Sequence, residues 1–520
     1  MPLSKSDYMN FLRHPAWLWL KKNDPCKIPP VDPETQQRMK AGYEFEEYAE
    51  RLFPGAKKIG FNDFSEYRTM PSRTSAAWSE GARCVIQGSY QSGELTCITD
   101  ILENDGDGYV LTEIKSSTSV KIEHEWDLAF QKLVLEAVGY KIHRCRVAHV
   151  NSSYVRDGNV DPRKLVTFTD VTEKVGKRLE KTIINIKTAL AILKSDNIPD
   201  LAPENAGLNA FSDWLEIRKD LEPKLPNESV YHLPYLTISQ AKGLKKSKIS
   251  VVSEIVDVSV LSGATAKYWN AKSQSKRVFN KKKLQKFLTC LEYPIYYFDY
   301  ETSQNVIPLW EGTRPYQQVP FQYSLHVKRN ADSPVEHLDY LHITKENPIQ
   351  DLLKSLRNHV GDVGSILVWY APFETSRNKE MAEILPEYAN FLFKFNERVV
   401  DLMNPFKEGT ISDPAFQGSA SIKKVLPVMV PGFSYNDLDI KEGGTAARIW
   451  KEATIFDKPD IDVEKTYKDL RAYCMRDTLA MVLIHEALHK QKTQKLSATP
   501  VPNNFGISQK VGGHWRRNRQ

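Results

Sequence analysis

No apolar run in the 520-residue chain approaches the roughly 18 residues that a membrane-crossing helix needs, so no membrane span is expected. The N-terminal stretch MPLSKSDYMNFLRHPAWLWLKK holds one short apolar run, broken by Arg13, His14 and Pro15, and lacks a small-residue cleavage site. A cytoplasmic protein is the expectation. The six cysteines, Cys26, Cys84, Cys97, Cys145, Cys290 and Cys474, show no CxxC spacing, which argues against a zinc site or a disulfide framework and for reduced thiols. Internal repeats are lacking. Acidic residues are missing after Glu486, where seven bases remain (Lys490, Lys492, Lys495, Lys510, Arg516, Arg517 and Arg519), so the modest net charge of +6 is concentrated rather than spread. A second basic stretch, Lys272 to Lys286, contains Lys281, Lys282 and Lys283 and can either track a phosphate backbone or form a solvated helix face.

What is present is an ordinary globular composition, 41% hydrophobic and 26% charged, with room for two or three domains of about 100 to 200 residues. Residues 35–53 have helical periodicity and end at a Pro-Gly pair. TCITDIL and YVLTEIK flank the turn sequence NDGDG and predict a hairpin, WDLAFQKLVLEAVGY predicts a helix ending at Gly139, and CRVAHVNSSYV a further strand. These make an α/β domain of residues 1–190. Prolines at 199, 203, 223, 226 and 234 and a lack of long apolar runs make 191–290 a mostly helical, basic connector. The strand YPIYYFDYET opens a second α/β domain over 291–490, continued by QYSLHV, SILVWY and later helices, and 491–520 reads as a basic flexible tail.

Within the second domain, Asp299 and Glu301 stand two apart on a strand, so both carboxylates leave one face, where a divalent cation would neutralise their repulsion. Glu374 follows the strand ILVWY where a helix begins. Tyr473 and Asp477 lie at i and i+4 of a late helix, in a run otherwise rich in Leu, Ala, Met, Val and Ile. A lone carboxylate there costs several kcal/mol unless it is partnered. Arg314, Tyr316, Gln317 and Gln318 follow the first motif and can hold a terminal nucleotide or brace a proline-capped loop. In the first domain Asp100 belongs to the first hairpin strand, Glu113 and Lys115 share a face of the second, and Glu47 and Gln131 sit on the flanking helices. Two acids can bind a metal, and a lysine beside them can stabilise a charged transition state.

The order of D-x-E on a first strand, an acid after a strand-to-helix junction, then Y-x-x-x-D on a late helix resembles the DnaQ-like DEDD exonucleases of the tyrosine subtype, which have an RNase H-like fold and degrade nucleic acid from the 3′ end. The resemblance implies that Asp299, Glu301, Glu374 and Asp477 hold two Mg²⁺ or Mn²⁺ ions about 4 Å apart and that Tyr473 orients the attacking water. Asp401 falls between Glu374 and Tyr473, where the exonucleases that this pattern resembles often carry an Asp, and that resemblance implies a place beside the site. The chain departs from that pattern at Y-A-P-F-E, where the family carries N-x-x-F-D. The order Glu47, Asp100, Glu113, Lys115, Gln131 is similar to the restriction-endonuclease-like PD-(D/E)xK fold in its RecB-like branch, implying one or two further metal ions, with Glu47, Asp100 and Glu113 as ligands and Lys115 and Gln131 in catalytic positions. Here Leu135 replaces the tyrosine of that branch's Q-x-x-x-Y motif. Its iron-sulfur cluster is not expected, because His14 stands where the first cysteine would be and no cysteine falls between Cys145 and Cys290.

The whole arrangement, with GTRPYQQVPFQYSLH and FDYET as its closest segments, resembles a bacterial family called domain of unknown function number 2779, which joins a RecB-like nuclease to a DnaQ-like exonuclease. The expectation is a metal-dependent nuclease acting on nucleic acid, DNA more than RNA, with two sites, serving repair, CRISPR adaptation or phage defence and open to a protein partner in such a complex. Two alternatives remain: a nucleic-acid-binding protein in which one domain has lost catalysis, and a scaffold for a larger complex.

Overall fold

The computed structural model describes residues 2–493 apart from 227, 275 and 276, with side chains described through residue 490. The expected basic tail therefore falls, from residue 494 on, outside the described residues. Among those described, no helix is long and apolar enough to cross a membrane.

The architecture is mixed α/β, with two large mixed sheets. The N-terminal half opens on helices α1 (Lys5–Arg13), α2 (Pro15–Asn23) and α3 (Pro33–Glu50). Its six-stranded sheet follows chain order: β1 (Lys57–Lys58), β2 (Cys84–Ile86), β3 (Ile101–Asn104), β4 (Tyr109–Lys115), β5 (Ile142–Val150) and β6 (Val166–Asp170). Strands β3 and β4 form the expected hairpin. The first hairpin segment does not run through as one strand, however. Leu95–Ile98 pairs in a small separate sheet and β3 begins only at Ile101, which leaves Asp100 in the break. Helix α4 (Ile122–Val138) crosses between the parallel strands β4 and β5 and stops at Gly139, whose φ of 106° is the left-handed cap that glycine adopts cheaply.

The segment expected as a connector folds onto its own core. Helix α5 (Phe211–Leu221) brings Phe211, Trp214 and Ile217 against Ala16, Trp17 and Leu20 of α2. His14 caps α2 by accepting from the Ala16 amide at 3.1 Å, reaches the Ala202 carbonyl with its other ring nitrogen at 3.1 Å, and stacks on Trp214 with centroids 3.7 Å apart. Burial pushes its pKa down to about 4, so it is a neutral packing residue. The prolines signalled loop but not the tryptophan anchor that gathers the loops. Helix α6 (Lys281–Thr289) belongs to the C-terminal half, because Leu284 and Leu288 enter that core while Lys281, Lys282 and Lys283 point outward.

The second large sheet has five strands: β7 (Ile295–Ser303), β8 (Val319–Lys328), β9 (Val335–Leu341), β10 (Ile366–Val368) and β11 (Val399–Asp401), in the spatial order β9-β8-β7-β10-β11. The first three are antiparallel neighbours, and β10 and β11 join parallel to β7. Strands β7 and β8 are buried along nearly their whole length, as central strands covered on both faces must be. Helices α7 (Ala371–Ile384), α8 (Ile422–Met429), α9 (Gly443–Trp450) and α10 (Val463–Thr493) complete this half. Of these, α10 lies across the sheet, with Thr478 hydrogen-bonded to Ser324 at 2.7 Å and the Leu470 carbonyl accepting from Gln322 at 3.0 Å.

Candidate functional site

The C-terminal carboxylates converge from three elements. Strand β7 carries Asp299 and Glu301, and its pairing with β8 shifts register between Glu301 and Thr302, an irregularity of the kind that re-aims side chains beside sites. Helix α7 supplies Glu374 and α10 supplies Tyr473 and Asp477. An oxygen of Asp299, one of Glu301 and the Cys474 Sγ lie within 4.8 Å of one another. Burial pushes Asp299 well above the usual carboxylate range, and the Asp477 charge pushes it further. Burial and the Asp299 charge do the same to Glu301, and burial with Asp299 and Glu301 does so to Glu374. Asp477 is raised to about 6 by burial, against the Tyr435 hydroxyl, which donates to its Oδ1 at 2.5 Å, and the Lys423 charge. Glu374 Oε2 is buried without a hydrogen-bond partner. Four carboxylates, Asp299 half-buried and the other three buried, thus have two cations near them, and both are already paired: Lys423 with Glu442 at 2.7 Å and Arg377 with Glu380 at 2.6 Å.

Asp401, expected beside the site, has a defined task. Its carboxylate accepts from the Tyr370 and Ala371 amides, both at 3.1 Å, and from the Met403 amide at 2.9 Å. That caps the start of α7, one turn before Glu374, and holds Tyr370 at a φ of 82°. Such a conformation in a non-glycine residue costs on the order of 1 to 3 kcal/mol and persists only where the surroundings impose it. Asp401 aims Glu374 and is itself spent on amides.

The N-terminal cluster is built differently. Glu113 Oε1 accepts from Lys5 at 3.0 Å and from Lys115, and its Oε2 accepts from Gln131 at 2.7 Å. Asp127, one turn before Gln131 on α4, accepts from the same amide at 2.8 Å and lies 3.7 Å from the Lys5 ammonium and 3.4 Å from that of Lys115. Asp100, in its strand break, accepts from the Ile114 amide at 2.6 Å, and burial with the Glu113 charge raises it to about 7. Glu113 is pulled below the usual range by the Lys115 and Lys5 ammoniums, which overcome its own burial. Two ammoniums here pair directly with Glu113 and Asp127, whereas Asp100 and Glu46 feel them only through space.

The structure thus brings together Asp100, Glu113, Lys115 and Gln131 as expected and adds Lys5 and Asp127. Glu47 is a correction: it is exposed, while Glu46, a rotation of about 100° away on the helix, is the residue that feels Lys115 and Glu113. The expected nucleotide-binding residues separate. Arg314 pairs with Glu383 at 3.1 Å, and Gln317 accepts from the Arg314 amide at 2.9 Å, so both brace a turn. Tyr316 instead crosses to the N-terminal half and donates to the carbonyl of Ser116, next to Lys115. Both clusters reach one cleft of about 1100 Å³, which Lys115, Tyr316 and Glu301 line together. Lys281, Lys282 and Lys283 do not line it. The sequence reading missed Lys5, Asp127, Lys423 and Tyr435.

A protein with these two acidic centres on two mixed sheets is similar to known sequences over part of its length. The sequence model of a family described as "Domain of unknown function (DUF2779)" matches residues 296–421, which span Asp299, Glu301, Glu374 and Asp401. The chain is 27% identical over 206 residues to "Uncharacterized protein MG366 homolog" of Mycoplasma pneumoniae, an alignment covering 36% of this chain and 31% of that protein. It is 26% identical over 219 residues to "Uncharacterized protein UU173" of Ureaplasma parvum serovar 3, covering 37% and 31%. The chain spans only about a third of the curated relatives it matches.

Proposed function

We propose that the C-terminal half is a metal-dependent nuclease that removes nucleotides from 3′ ends, with DNA the first substrate to test. The observation that carries this reading is the set of Asp299, Glu301, Glu374 and Asp477, which has no directly paired cation among the described residues and leaves Glu374 Oε2 unpartnered. A strand order of β9-β8-β7-β10-β11, with β10 and β11 parallel to β7, supports an RNase H-like, DnaQ-type core. The donor set fits Mg²⁺ or Mn²⁺: all four acids offer hard oxygens, and Cys474, whose thiol burial and the Asp299 charge keep protonated, offers none. Bound there, such ions would activate water and stabilise the charge that develops on the phosphate. The protein's own groups do the rest. Burial and the Asp477 charge keep the Tyr473 hydroxyl neutral, able to orient the attacking water, and the Lys423 ammonium, 5.8 Å from the ring centroids of Tyr435 and Tyr473, offers a charge to an incoming phosphate.

The N-terminal half has the order of groups of a PD-(D/E)xK domain but does not fit the same metal reading. Both Glu113 oxygens are occupied, and Lys5 and Lys115 already neutralise the carboxylates a metal would share. The reading this favours is a nucleic-acid-binding domain rather than a second cutter. Digestion of 3′-labelled and 5′-labelled DNA and RNA with Mn²⁺ or with EDTA, by wild type, Asp299→Asn and Glu113→Gln, tests both statements. Metal-dependent loss of 3′ label that vanishes only in Asp299→Asn is expected. Cleavage surviving in Asp299→Asn overturns the first, and cleavage lost in a folded Glu113→Gln overturns the second.

A further inference from the structure

The cleft between the halves is larger than a site for one nucleotide needs, and its lining is not that of an ordinary domain seam. Its cavity of about 1100 Å³ exceeds the roughly 300 to 1,000 Å³ of small-molecule pockets. It leaves room for a few unstacked nucleotides, and rings in its wall can stack only on bases that a duplex keeps paired and turned inward. Glu301 of the carboxylate cluster forms part of its wall.

Lys451 is the most telling residue of this lining. It is 8% exposed, and its ammonium donates only to neutral groups, the Gln304 carbonyl at 3.3 Å and Asn305 Oδ1 at 3.2 Å. Burial pulls its pKa down, with Glu44 and Glu452 acting on it only through space. A buried cation without a paired anion is costly, and an anionic ligand relieves that cost. Arg38, Lys40 and Lys121 add exposed positive charge along the same cleft. The lining also carries Glu34, Glu44, Glu123 and Glu452; of these Glu452 is held by Arg448 at 2.8 Å and Lys458 at 2.6 Å, and Glu123 lies 3.9 Å from Lys121. The same lining holds aromatic rings, half-buried Tyr316 and Phe373 and the 48%-exposed Phe456, over which the Lys40 ammonium sits at 5.8 Å. Cations and rings in one cleft is the chemistry that binds single strands, phosphates on the former and bases on the latter.

We infer that this cleft binds a single-stranded nucleic acid, gripped by both halves, with Lys451 on a backbone phosphate and the strand's end directed toward Glu301. The direction of the strand rests on the nuclease reading, but the binding does not. The test is fluorescence anisotropy of a labelled single-stranded oligonucleotide in EDTA, where no metal-dependent cleavage occurs, over a range of salt. Arg38→Glu with Lys40→Glu, both at exposed positions and so tolerated by the fold, is expected to weaken binding at least about tenfold. Lys451→Gln is expected to weaken it as well, and each phosphate contact removed to flatten the log–log salt dependence by about 0.7. A duplex of the same sequence is expected to bind at least tenfold more weakly than the single strand. The inference is overturned if the Arg38 and Lys40 changes leave binding intact, if duplex binds as well as single strand, or if binding falls instead when Lys281, Lys282 and Lys283 become Glu. Cleavage by wild type together with unaltered binding by the cleft variants would sink the cleft and spare the nuclease, whereas cleft-dependent binding without cleavage would do the reverse.

Discussion

The two acidic clusters solve the same electrostatic problem in opposite ways. In the N-terminal half, Glu113 and Asp127 are neutralised from within by Lys5 and Lys115, and the cluster is complete as folded. In the C-terminal half, four carboxylates have no direct cation partner; burial raises all four, and neighbouring acids of the set raise Asp299, Glu301 and Glu374 further. An arrangement of the second kind is expensive to hold together, and it makes sense where a ligand from outside completes it. Motif order alone makes the two halves look alike, and direct pairing of acid to ammonium separates them.

Activity separates the two clusters by the largest margin. Asp299→Asn is expected to lower 3′-end cleavage at least about 10³-fold, and Glu113→Gln to leave the turnover of bound substrate within a few fold, both read in single-turnover assays. Equal losses would erase the distinction. Stability should then move the other way. Lys5→Ala strips a cation from two buried carboxylates and is expected to cost about 3 kcal/mol in urea unfolding, while Asp299→Asn relieves repulsion and should leave the midpoint unchanged or raised. A lower midpoint for Asp299→Asn would mean that its charge is compensated after all.

The pH dependence follows from the same shifts. Carboxylates whose folded pKa lies above the unfolded value of about 4 contribute stability that is full below that pH and lost as pH rises through the folded value, about 6 for Asp477. Glu113 is shifted downward, so its contribution is present above about 4 and is lost only as pH falls through its depressed value; the other acids around it, Asp100 (to about 7), Asp127 and Glu46, are shifted upward like the C-terminal set. Metal competes with protons for the C-terminal set. Mn²⁺ is therefore expected to raise the melting temperature more at pH 8 than at pH 5, and not at all in a variant combining Asp299→Asn and Glu301→Gln. An undiminished gain in that variant would place the metal elsewhere. The smallest effect concerns α3: Glu47→Ala should change stability by no more than about 0.5 kcal/mol, whereas Glu46→Ala, which removes a carboxylate that feels Lys115 and Glu113, should move the urea midpoint more than that.

How much could be read from the sequence varies with range. Asp299 and Glu301 were readable because two residues along a strand is a strict geometric relation, and Tyr473 and Asp477 because one helical turn is another. Glu47 shows the limit of the helical case: the helix was found, but a phase error of one residue turns the side chain away. Asp127 sits one turn from Gln131 and was available to the same logic. Lys5 was not, since 108 residues separate it from Glu113 and nothing periodic links them. Tyr435 and Lys423 escaped for the same reason, coming from a loop and a short helix that only tertiary packing brings to α10. Prolines correctly marked loops between 199 and 234, while the core that Trp214 builds with α2 depends on contacts across almost 200 residues.

Strand β7 runs from the carboxylate pair straight into residues 304–318, and that stretch is riveted to the other half. Val306 sits in the core formed by Phe45, Ala49 and Ile86, the Arg156 guanidinium donates to the Pro308 and Leu309 carbonyls at 2.8 and 2.7 Å, and Tyr316 holds Ser116. The halves cannot swing apart like jaws without unseating the strand that carries Asp299 and Glu301. On the proposed function, a polymer has to be fed in by its tip, and a covalently closed circle, which has no tip to offer, stays outside.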